Sequence, residues 1–543
     1  MSETSNNSHE LLHPTPATPD HNLLIISDLH LSEGIHPSTK RFSRNEDFFF
    51  DEEFARFLAY YSDQSHGNDK PWHLIINGDF LDFLQVTSID DADESHSRDP
   101  ERPKYGLGCG EGETVHKLDR IMEGHKQFFK AMAKFIVKGH SVTIMKGNHD
   151  VEFHYMGVRD AFIKEMQDLC KQVASENAAN MTTPLPPWGS LRFSDWFYYE
   201  PGLLWVEHGN QSDEQNCFRN WLEPLLPADP KRKDEIDLPF GSLFVRYLFN
   251  RVENEEPFAD NIKPPTKFVS WFLLHHPIHF LNFARKDGLY MLKKIRRAWK
   301  RIPDSAYADR DAAHHTRLVK LASLWNIKEH VLENIDKLRA TSVFRQGKHL
   351  QGKWKLMRGL IMCNLFFPLG VFFLFLTFLF SIVVVPLWVP LALFFWGVFL
   401  FVFLYPRGKK KKSNVLSDLV AEKAKEIFKH LDVRYVIMGH SHNADLQSID
   451  NGGKNGKEYF NTGTWTKVFS EEERLIREEN ELVFVKIVRE EGLKVELLKW
   501  EDNVDEPRRV KLFEDLEESR QRRRGTQAQH GKPSSRSGKG ISA

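Results

Sequence analysis

The sequence predicts an α/β fold interrupted by a long helical insertion, and the insertion contains a membrane segment. Short apolar runs that end in polar clusters alternate with stretches of helical spacing, which is the pattern of a parallel sheet covered by helices. Further along, residues 360–405 form a run of 46 residues without a charged side chain. The whole chain is 41% hydrophobic and 27% charged with a mean hydropathy of -0.46, so most of it is expected to fold in water.

The first part of the chain predicts three buried strands separated by helices. Leu23–Ile26, His73–Asn77 and Val142–Met145 are short, branched apolar runs. Helical spacing over Phe48–Tyr61 and Ile121–Val137 separates them, and a strand–helix–strand order predicts parallel neighbours.

The remaining elements follow from the same patterns. From Asn210 to Arg358 the sequence changes to long helical and aromatic segments. Outside that region we predict helices at Arg159–Ala174 and Val415–His430, strands at Leu191–Ser194, Leu203–Val206 and Val433–Met438, and three closing antiparallel strands at Tyr459–Thr462, Leu482–Val488 and Val495–Leu498.

Five of the predicted strands end in clusters of Asp, His and Asn, where open α/β sheets place their functional sites. A single histidine after a strand is more often a satisfied core or surface residue, but five such clusters indicate a shared site. They are Asp28-Leu29-His30, Gly78-Asp79-Phe80-Leu81-Asp82, Gly147-Asn148-His149-Asp150, His208-Gly209 and Gly439-His440-Ser441-His442.

The residue types in these clusters are those of a metal site without sulfur ligands. The four cysteines are far apart and form no CxxC pair, so the sequence indicates neither a disulfide framework nor a thiolate zinc site, and a reducing compartment fits. Carboxylate and imidazole ligands suit Mn, Fe, Zn or Mg, and a carboxylate between two such cations can bridge them at ~3.5 to 4 Å.

In their residue pattern and their order, the five clusters resemble the motifs of the calcineurin-like metallophosphoesterases. The resemblance covers roughly residues 22 to 210 and 430 to 500, and it implies a four-layer αββα sandwich with two divalent metal ions, for which Mn is favoured. It further implies that a hydroxide shared by the two ions attacks the phosphorus. The implied ligands are Asp28, His30, Asp79 and His442 for one ion and Asp79, Asn148, His208 and His440 for the other, with Asp79 as the bridge.

Roles for the neighbouring residues follow from the same resemblance. His149 would contact the phosphoryl oxygen or protonate the leaving oxygen, and Asp150 would fix its tautomer. Asp82 is expected to orient a ligand rather than bind the ion. Asn210 and Asp213 either line the pocket or have a plain loop role.

A partial likeness exists to one group within that family. Ser27-Asp28-Leu29-His30-Leu31-Ser32 is similar to the corresponding stretch of the UDP-2,3-diacylglucosamine pyrophosphohydrolases, which cut a pyrophosphate in a lipid precursor at the membrane surface. The chain departs from that group at His149, where the group carries Arg. It also separates His208 from His440 by 232 positions, where simpler members have a short connection.

The apolar run 360–405 is too long for one straight membrane crossing. As one helix it would measure roughly 69 Å, against ~30 Å for the hydrocarbon core of a bilayer. Two full spans or a re-entrant hairpin would use it up, with Pro386 and Pro390 near the bend, and a pair of buried core helices is the alternative in a soluble protein. Basic residues on both flanks predict that both ends face the cytoplasm, and Leu360, Trp388 and Tyr405 are expected to contact the membrane.

A basic stretch of the insertion also predicts a membrane surface. One helical stripe carries Leu289, Leu292, Ile295, Trp299 and Ile302, and six lysines and arginines occupy the remaining positions. This pattern is typical of an interfacial helix, with Trp299 as a membrane contact. A basic surface helix packed on its own domain is the alternative.

These observations predict the following organisation. Residues 1–21 are a disordered segment, 22–210 the first part of the phosphoesterase domain, 211–359 a helical insertion, 360–405 the membrane hairpin, 413–500 the second part of the domain and 519–543 a disordered basic tail. Because the motifs lie on both sides of 360–405, the run must return to the side from which it left.

The leading functional hypothesis is a membrane-anchored dinuclear phosphoesterase or pyrophosphohydrolase, with its catalytic domain on the cytoplasmic side and a lipid-linked or membrane-proximal substrate. One alternative is a phosphoprotein or nucleotide phosphatase that is anchored to the membrane. Another is a non-catalytic membrane scaffold that retains the fold. A nucleic-acid partner is not expected, because the basic residues gather near the apolar run rather than near the motifs.

Overall fold

The fold is taken from a computed structural model of the chain. The structure describes residues 21–63, 68–89, 102–176, 190–229, 234–252, 302–345, 415–449, 456–467, 469–470, 475–476, 481–490 and 493–511, with scattered single residues between 275 and 293. The chain divides into two compact units, Met1–Ser342 with Leu419–Ala543, and Val343–Asp418. Almost all of the second unit lies outside the described residues.

The strands of the first unit are short and lie mostly at the positions that the apolar runs predict. In chain order they are β1 Asn22–Ile26, β2 Trp72–Asn77, β3 Ser141–Met145, β4 Leu191–Ser194, β5 Phe197–Glu200, β6 Leu204–Glu207, β7 Tyr435–Met438, β8 Ala444–Ser448, β9 Glu458–Thr462, β10 Phe469–Ser470, β11 Leu475–Ile476, β12 Val483–Arg489, β13 Leu493–Glu501 and β14 Glu506–Arg509.

The helices connect these strands or belong to the insertion. They are α1 Asp51–Tyr61, α2 Arg102–Tyr105, α3 Glu111–Gly124, α4 Lys126–Val137, α5 Met156–Glu176, α6 Phe240–Phe244, α7 Asn250–Val252, α8 Ala308–Leu324, α9 Glu329–Asp336 and α10 Val415–His430. A π-helical turn at Val245–Phe249 joins α6 to α7. Short 3₁₀ turns occur at Val151–His154, Asn210–Ser212, Asp304–Tyr307 and Val343–Arg345.

The larger sheet has seven strands in the order β14-β13-β12-β1-β2-β3-β4. Strands β1 to β4 run parallel, whereas β12, β13 and β14 join the sheet in antiparallel fashion beside β1. The side chains of Leu23 to Ile26 in β1 are completely buried, so both faces of the central strand are covered. A strand buried on both faces accounts for the continuous apolar run in the sequence.

The second sheet has five strands in the order β5-β6-β7-β9-β8. Strand β6 precedes the insertion and β7 follows it, and the two pair in parallel with Leu204 beside Tyr435. The two parts of the chain that the insertion separates therefore form one sheet.

The two sheets are joined at the carboxyl ends of their parallel strands. The side-chain amide of Asn77 at the end of β2 donates to the carbonyl oxygen of Glu207 at the end of β6, over 3.0 Å. The hydroxyl oxygens of Ser27 and Thr462, which follow β1 and end β9, lie 2.5 Å apart. This junction brings the polar residues that follow both sets of strands to one place.

Helices α1, α4 and α5 cover the larger sheet with aromatic side chains. The rings of Phe54 and Phe128 stack at a centroid distance of 3.8 Å. Phe57 makes edge contacts with Trp465, Phe484 and Trp500 over the antiparallel half of the sheet. The prediction of a mixed α/β fold is thus confirmed at the level of two sheets and their helices.

The structure differs from the predicted elements in four places. The predicted helix Ile121–Val137 is two helices, α3 and α4, because the chain turns at His125. Strand β9 is parallel to β7 and antiparallel to β8, so the three closing strands do not form one antiparallel set. Strands β5, β8, β10, β11 and β14 are not among the predicted strands. In the region predicted as long helical segments, the chain from 213 to 229 and from 234 to 239 is largely irregular.

The membrane prediction falls outside the described part of the chain. Leu360, Trp388, Tyr405 and Trp299 all lie there, as does the whole run 360–405. Among the residues that the structure does describe, no helix combines the length and apolar character needed for a membrane span.

Candidate metal centre

The five polar clusters of the sequence meet where the two sheets join. Asp28 follows β1, Asp79 follows β2 and Asn148 follows β3, while His208 and His440 follow β6 and β7 of the other sheet. The backbone N–H of His440 donates to both carboxylate oxygens of Asp28, at 3.2 and 2.9 Å, across 412 positions of sequence. The clusters before and after the insertion are therefore parts of one site.

The backbone at this site adopts a conformation that non-glycine residues rarely take. Among the described residues, ten other than glycine have a positive φ, and five of these are Asp28, His30, Asp79, His440 and His442. Such left-handed residues cost energy and concentrate at functional sites, where the surrounding structure holds them in place. The concentration here favours a functional role for the turns that follow the strands.

Two glycines permit the close approach of these turns. Gly78 has a φ of 78°, and a Cβ atom there would lie 2.6 Å from the ring of His208. At Gly439 a Cβ atom would lie 2.5 Å from Oδ2 of Asp28. Any larger residue at either position would displace a candidate ligand.

The first cluster consists of Asp28, His30 and His442. Nε2 of His442 lies 3.2 Å from Oδ1 of Asp28 and 3.3 Å from Nε2 of His30. Two atoms that bind one cation at ~2.1 Å lie about 3.0 to 3.4 Å apart, so these separations match a shared ion. All three residues belong to one group with metal-binding geometry.

The second cluster consists of Asp79, His208 and His440, which form another such group and are all buried. Nδ1 of His208 faces the carbonyl oxygen of Asn77 at 2.9 Å, so that nitrogen carries the proton. Nε2 of His208 then presents its lone pair 3.0 Å from Oδ2 of Asp79. A backbone carbonyl behind the imidazole is a common support for a metal-binding histidine.

A single carboxylate oxygen connects the two clusters. Oδ2 of Asp79 lies 3.0 Å from Nε2 of His208 in the second cluster and 3.8 Å from Nε2 of His30 in the first. Oδ1 of the same carboxylate accepts the backbone N–H of His149 at 2.9 Å, which fixes its orientation. Asp79 is 1% exposed, so its charge is held between the two sets of imidazoles.

Unsatisfied polar atoms at the site fit a cation. Oδ1 of Asn148 and Nε2 of His208 are buried and make no hydrogen bond. Buried acceptors without a donor are rare in folded proteins, and a bound ion is one of the accepted explanations. Asn148 stands between Gly147 and His149, whose backbones both approach Asp79. The residues present therefore suit metal ions.

The charges of the site also favour a cation. Burial raises the pKa of Asp28 and of Asp79, but the facing imidazoles outweigh it and hold the pKa of both carboxyls below the usual range. Burial lowers the pKa of His208, whereas Asp79 raises it to about 9. The carboxylates thus favour a positive charge at the site. Without a metal ion the proton on His208 supplies this charge, and a metal ion would displace that proton.

Asp82 supports two histidines from behind. Its Oδ2 lies 2.5 Å from Nδ1 of His149 and 3.4 Å from Nδ1 of His30, and its Oδ1 accepts the backbone N–H groups of Leu84 and Gln85. Burial raises the pKa of Asp82, but His149 and His30 together outweigh it and keep the pKa below the usual value. Asp82 therefore orients His149 and His30 without entering either cluster.

The role expected of Asp150 is corrected by these contacts. Its Oδ2 accepts the backbone N–H groups of Phe80 and Leu81, and its Oδ1 accepts that of Gly147. Burial, together with Asp79, raises the pKa of Asp150 to about 7. Asp150 ties two strand-end turns together, and the carboxylate at Nδ1 of His149 belongs to Asp82.

The two loop residues after His208 differ in their contacts. Oδ2 of Asp213 lies 3.3 Å from Nε2 of His440, whereas the amide of Asn210 donates to the backbone oxygen of Asn216 at 3.1 Å. Asp213 thus reaches the second cluster, and Asn210 shapes the loop.

Sequence reasoning missed two supports of the first cluster. The hydroxyl of Ser27 donates to Oδ2 of Asp28, and that of Thr464 donates to its backbone oxygen at 2.7 Å. Ser27 could have been noticed as a polar residue at the end of an apolar run. Thr464 carries no such signal, because it lies 436 positions away and its contact depends on the fold.

Comparison with known proteins adds no relative. No model of a known protein family matches this chain, and no curated protein shows significant similarity to it.

Proposed function

We propose that the protein is a metal-dependent phosphoric ester hydrolase of the calcineurin-like metallophosphoesterase type, with two divalent cations, preferentially Mn²⁺, in the two clusters. The observation that carries this proposal is the position of Oδ2 of Asp79 between His208 and His30. A carboxylate shared by two imidazole-containing groups suits a dinuclear centre. The packing of two sheets with covering helices fits the four-layer αββα arrangement of that family.

In this proposal Asp28, His30, Asp79 and His442 hold one cation, and Asp79, Asn148, His208 and His440 hold the other. When bound, the cations lower the pKa of a water molecule and neutralise the charge of the phosphoryl oxygens. Hydrolysis joins the water oxygen to phosphorus and breaks the bond to the leaving oxygen, which needs a proton.

His149 is suited to supply that proton. Its side chain is 15% exposed, more than that of His30 or His208, so it can reach a substrate. Asp82 behind it at Nδ1 stabilises the protonated imidazole and keeps Nε2 directed away from the carboxylate.

A membrane location and a lipid-borne or membrane-proximal phosphoester complete the proposal. They rest on the sequence of 360–405, on its basic flanks and on the partial likeness to the UDP-2,3-diacylglucosamine pyrophosphohydrolases. Because β6 and β7 pair in one sheet, the chain on both sides of the run must lie on one side of the membrane. Reporter fusions at Gln351 and Ser413 are therefore expected to face the cytoplasm, and opposite sides would contradict this topology.

The proposal is tested by metal analysis together with a substrate panel. The purified protein is supplied with Mn²⁺ and offered lipid phosphoesters, nucleotides, phosphopeptides and a generic aryl phosphate. We expect two ions per chain and fastest turnover of a lipid phosphoester, and we expect Asp79→Asn to reduce turnover by at least about 10³-fold.

Other outcomes would point to the alternatives. Fastest turnover of a phosphopeptide or nucleotide would favour an anchored phosphatase of another substrate class. A protein that binds no metal, or whose turnover neither Asp79→Asn nor His440→Ala abolishes, would favour the non-catalytic scaffold that retains the fold.

A further inference from the structure

Asp213 belongs to none of the five motifs, yet its carboxylate faces a candidate metal ligand. It lies in the loop that leaves His208, and its Oδ2 is 3.3 Å from Nε2 of His440. The loop itself fixes this orientation, because Oδ1 accepts the backbone N–H of Gln215 at 2.9 Å and Oδ2 accepts the amide of Asn216 at 2.7 Å. Asp213 is 8% exposed, so water competes little for its carboxylate.

This contact decides which nitrogen of His440 is available to a cation. With Nε2 donating to Asp213, the proton is on Nε2 and the lone pair is on Nδ1. The ring of His440 lies against that of His208 at a centroid distance of 5.2 Å, and the two histidines group with Asp79. Asp213 thus supports His440 in the way that the carbonyl oxygen of Asn77 supports His208.

The loop that carries Asp213 is held from within the inserted part of the chain. The backbone N–H of Ala340 donates to the carbonyl oxygen of Gln211 at 2.7 Å. The thiol of Cys217 donates to the carbonyl oxygen of Ala340, and the side chain of Gln211 accepts the backbone N–H of Phe218 at 2.9 Å. Ala340, which follows the turn after α9, therefore braces the loop that carries Asp213.

We propose that Asp213 is a positioning residue that sets the tautomer and the direction of the His440 imidazole, so that the affinity of the second cluster for its cation depends on a residue outside the metal motifs. The proposal rests on the dinuclear centre proposed above. It assigns to the inserted part of the chain a role in completing the metal site, which the motifs alone do not provide.

The experiment titrates the full-length protein and its variants with Mn²⁺ and records electron paramagnetic resonance spectra. Two neighbouring ions give an exchange-coupled spectrum, whereas a single ion gives the six-line spectrum of isolated Mn²⁺. The variants are Asp213→Ala, which removes the hydrogen-bond acceptor, and Asp213→Asn, whose amide oxygen can still accept the Nε2 proton. Asp304→Ala is the matched control, since it removes a carboxylate of the same region whose side chain is 80% exposed.

We expect Asp213→Ala to lower the affinity for the second ion by about 10- to 100-fold and to leave a six-line spectrum at stoichiometric Mn²⁺. Asp213→Asn is expected to retain a coupled spectrum with an intermediate affinity, and Asp304→Ala is expected to match the unsubstituted protein. A coupled spectrum and unchanged affinity in Asp213→Ala would overturn the proposal. Equal loss of the ion in Asp213→Asn and Asp213→Ala would also overturn it, because the carboxylate would then act as a ligand itself.

The two proposals fail in distinguishable ways. An unsubstituted protein that binds a single ion, or none, would remove the dinuclear centre and with it the role of Asp213. An unsubstituted protein with a coupled pair that Asp213→Ala leaves intact would remove only the role of Asp213. If Asp213→Ala does not fold, as judged by its circular dichroism, the Mn²⁺ affinity of Asp213→Asn is compared with that of the unsubstituted protein. An intermediate affinity supports the role of Asp213, and an unchanged affinity overturns it.

Discussion

The two clusters of the candidate metal centre are built from similar residues but supported in different ways. In the first cluster, the partners of Asp28 and His30 come from the strand-end turns and their neighbours, namely Ser27, Asp82 and the backbone of His440. In the second cluster, His440 is supported by Asp213, which lies on a loop braced by the inserted part of the chain. The first cluster is thus complete within the two sheets, whereas the second needs a part of the chain outside them.

His440, in addition to Asp79, prevents the clusters from being independent. His440 contributes its ring to the second cluster, while its backbone N–H holds the carboxylate of Asp28 in the first. Displacing the ring need not displace the backbone, because the turn is also held by the bond from Asn461 to the carbonyl oxygen of Gly439 at 2.9 Å. A substitution of a supporting side chain can therefore weaken one cluster and leave the other intact, whereas loss of Asp79 affects both clusters.

The largest effect that leaves the second cluster intact is expected from Asp82→Ala. Without the carboxylate at Nδ1, His149 loses its orientation and the stabilisation of its protonated form, so we expect kcat to fall about 10²-fold with KM changed little. The second cluster has no contact with Asp82 among the described residues and should keep its ion. Steady-state kinetics with the preferred substrate, together with Mn²⁺ stoichiometry, measure both effects.

Asp82→Asn provides the control for this prediction, since its amide oxygen can still accept the Nδ1 proton and should restore part of kcat. An Asp82→Ala protein that loses the ion of the second cluster would contradict the separation between the clusters, and one that keeps its kcat would contradict the role of Asp82 behind His149.

A pair of glycine substitutions is expected to act on one cluster each, with smaller effects. The new Cβ in Gly78→Ala would meet the ring of His208, and the one in Gly439→Ala would meet Asp28. We expect each substitution to lower the affinity of its own cluster by about tenfold and to destabilise the protein by about 1–3 kcal/mol. Metal titrations and urea unfolding measure the two quantities.

Gly202→Ala is the control for backbone strain in Gly78→Ala. Gly202 has a φ of 72°, but a Cβ atom there would meet no other atom of the described chain within 4 Å. The substitution should share the loss of stability but not the loss of metal affinity. Equal effects of Gly78→Ala on both clusters would mean that the two sets of ligands move as one body.

Much of this architecture could be predicted from the sequence because buried parallel strands leave a continuous apolar signal. The strands before Asp28, Asp79 and His440 each end within two residues of the start of the polar cluster, and the carboxyl ends of parallel strands meet at one edge of a sheet. That rule accounts for the meeting of the clusters within each sheet, whereas the two sheets are brought together by contacts such as that of Asn77 with Glu207.

The partners of the supporting residues could not be predicted in the same way, because their contacts join distant positions. Asp150 is the sequence neighbour of His149, but adjacent residues of a turn face different directions, and Asp82 reaches the ring from 67 positions away. Asp213 and His440 are 227 positions apart. The break between α3 and α4 has the same origin, since helical periodicity does not register that His125 is held by carboxylates 74 and 79 positions away.

The smallest predicted effect comes from His125, and it concerns the loop that follows Asp28 and His30 of the first cluster. Glu46 accepts the backbone N–H groups of Ser32, Gly34 and Phe48, and the ring of His125 lies between Glu46 and Asp51 at 3.2 and 3.0 Å. The loop of the second cluster is held by uncharged hydrogen-bonding groups of Gln211 and Ala340. The pH dependence of stability that arises from His125 is therefore expected for the first-cluster loop.

Burial lowers the pKa of His125, but Glu46 and Asp51 together outweigh burial and raise the pKa to about 10. Because this pKa exceeds the unfolded value of about 6.5, the ion pair stabilises the fold fully below about pH 6.5 and is lost as the pH rises through about 10. We therefore expect the difference in unfolding free energy between the unsubstituted protein and His125→Gln to shrink by about 1–3 kcal/mol over that range in urea titrations. His73→Gln is the control, because burial lowers the pKa of His73 to about 3 and its difference should stay constant. A constant difference for His125→Gln as well would mean that its imidazole is neutral, and that no ion pair with Glu46 and Asp51 stabilises the first-cluster loop.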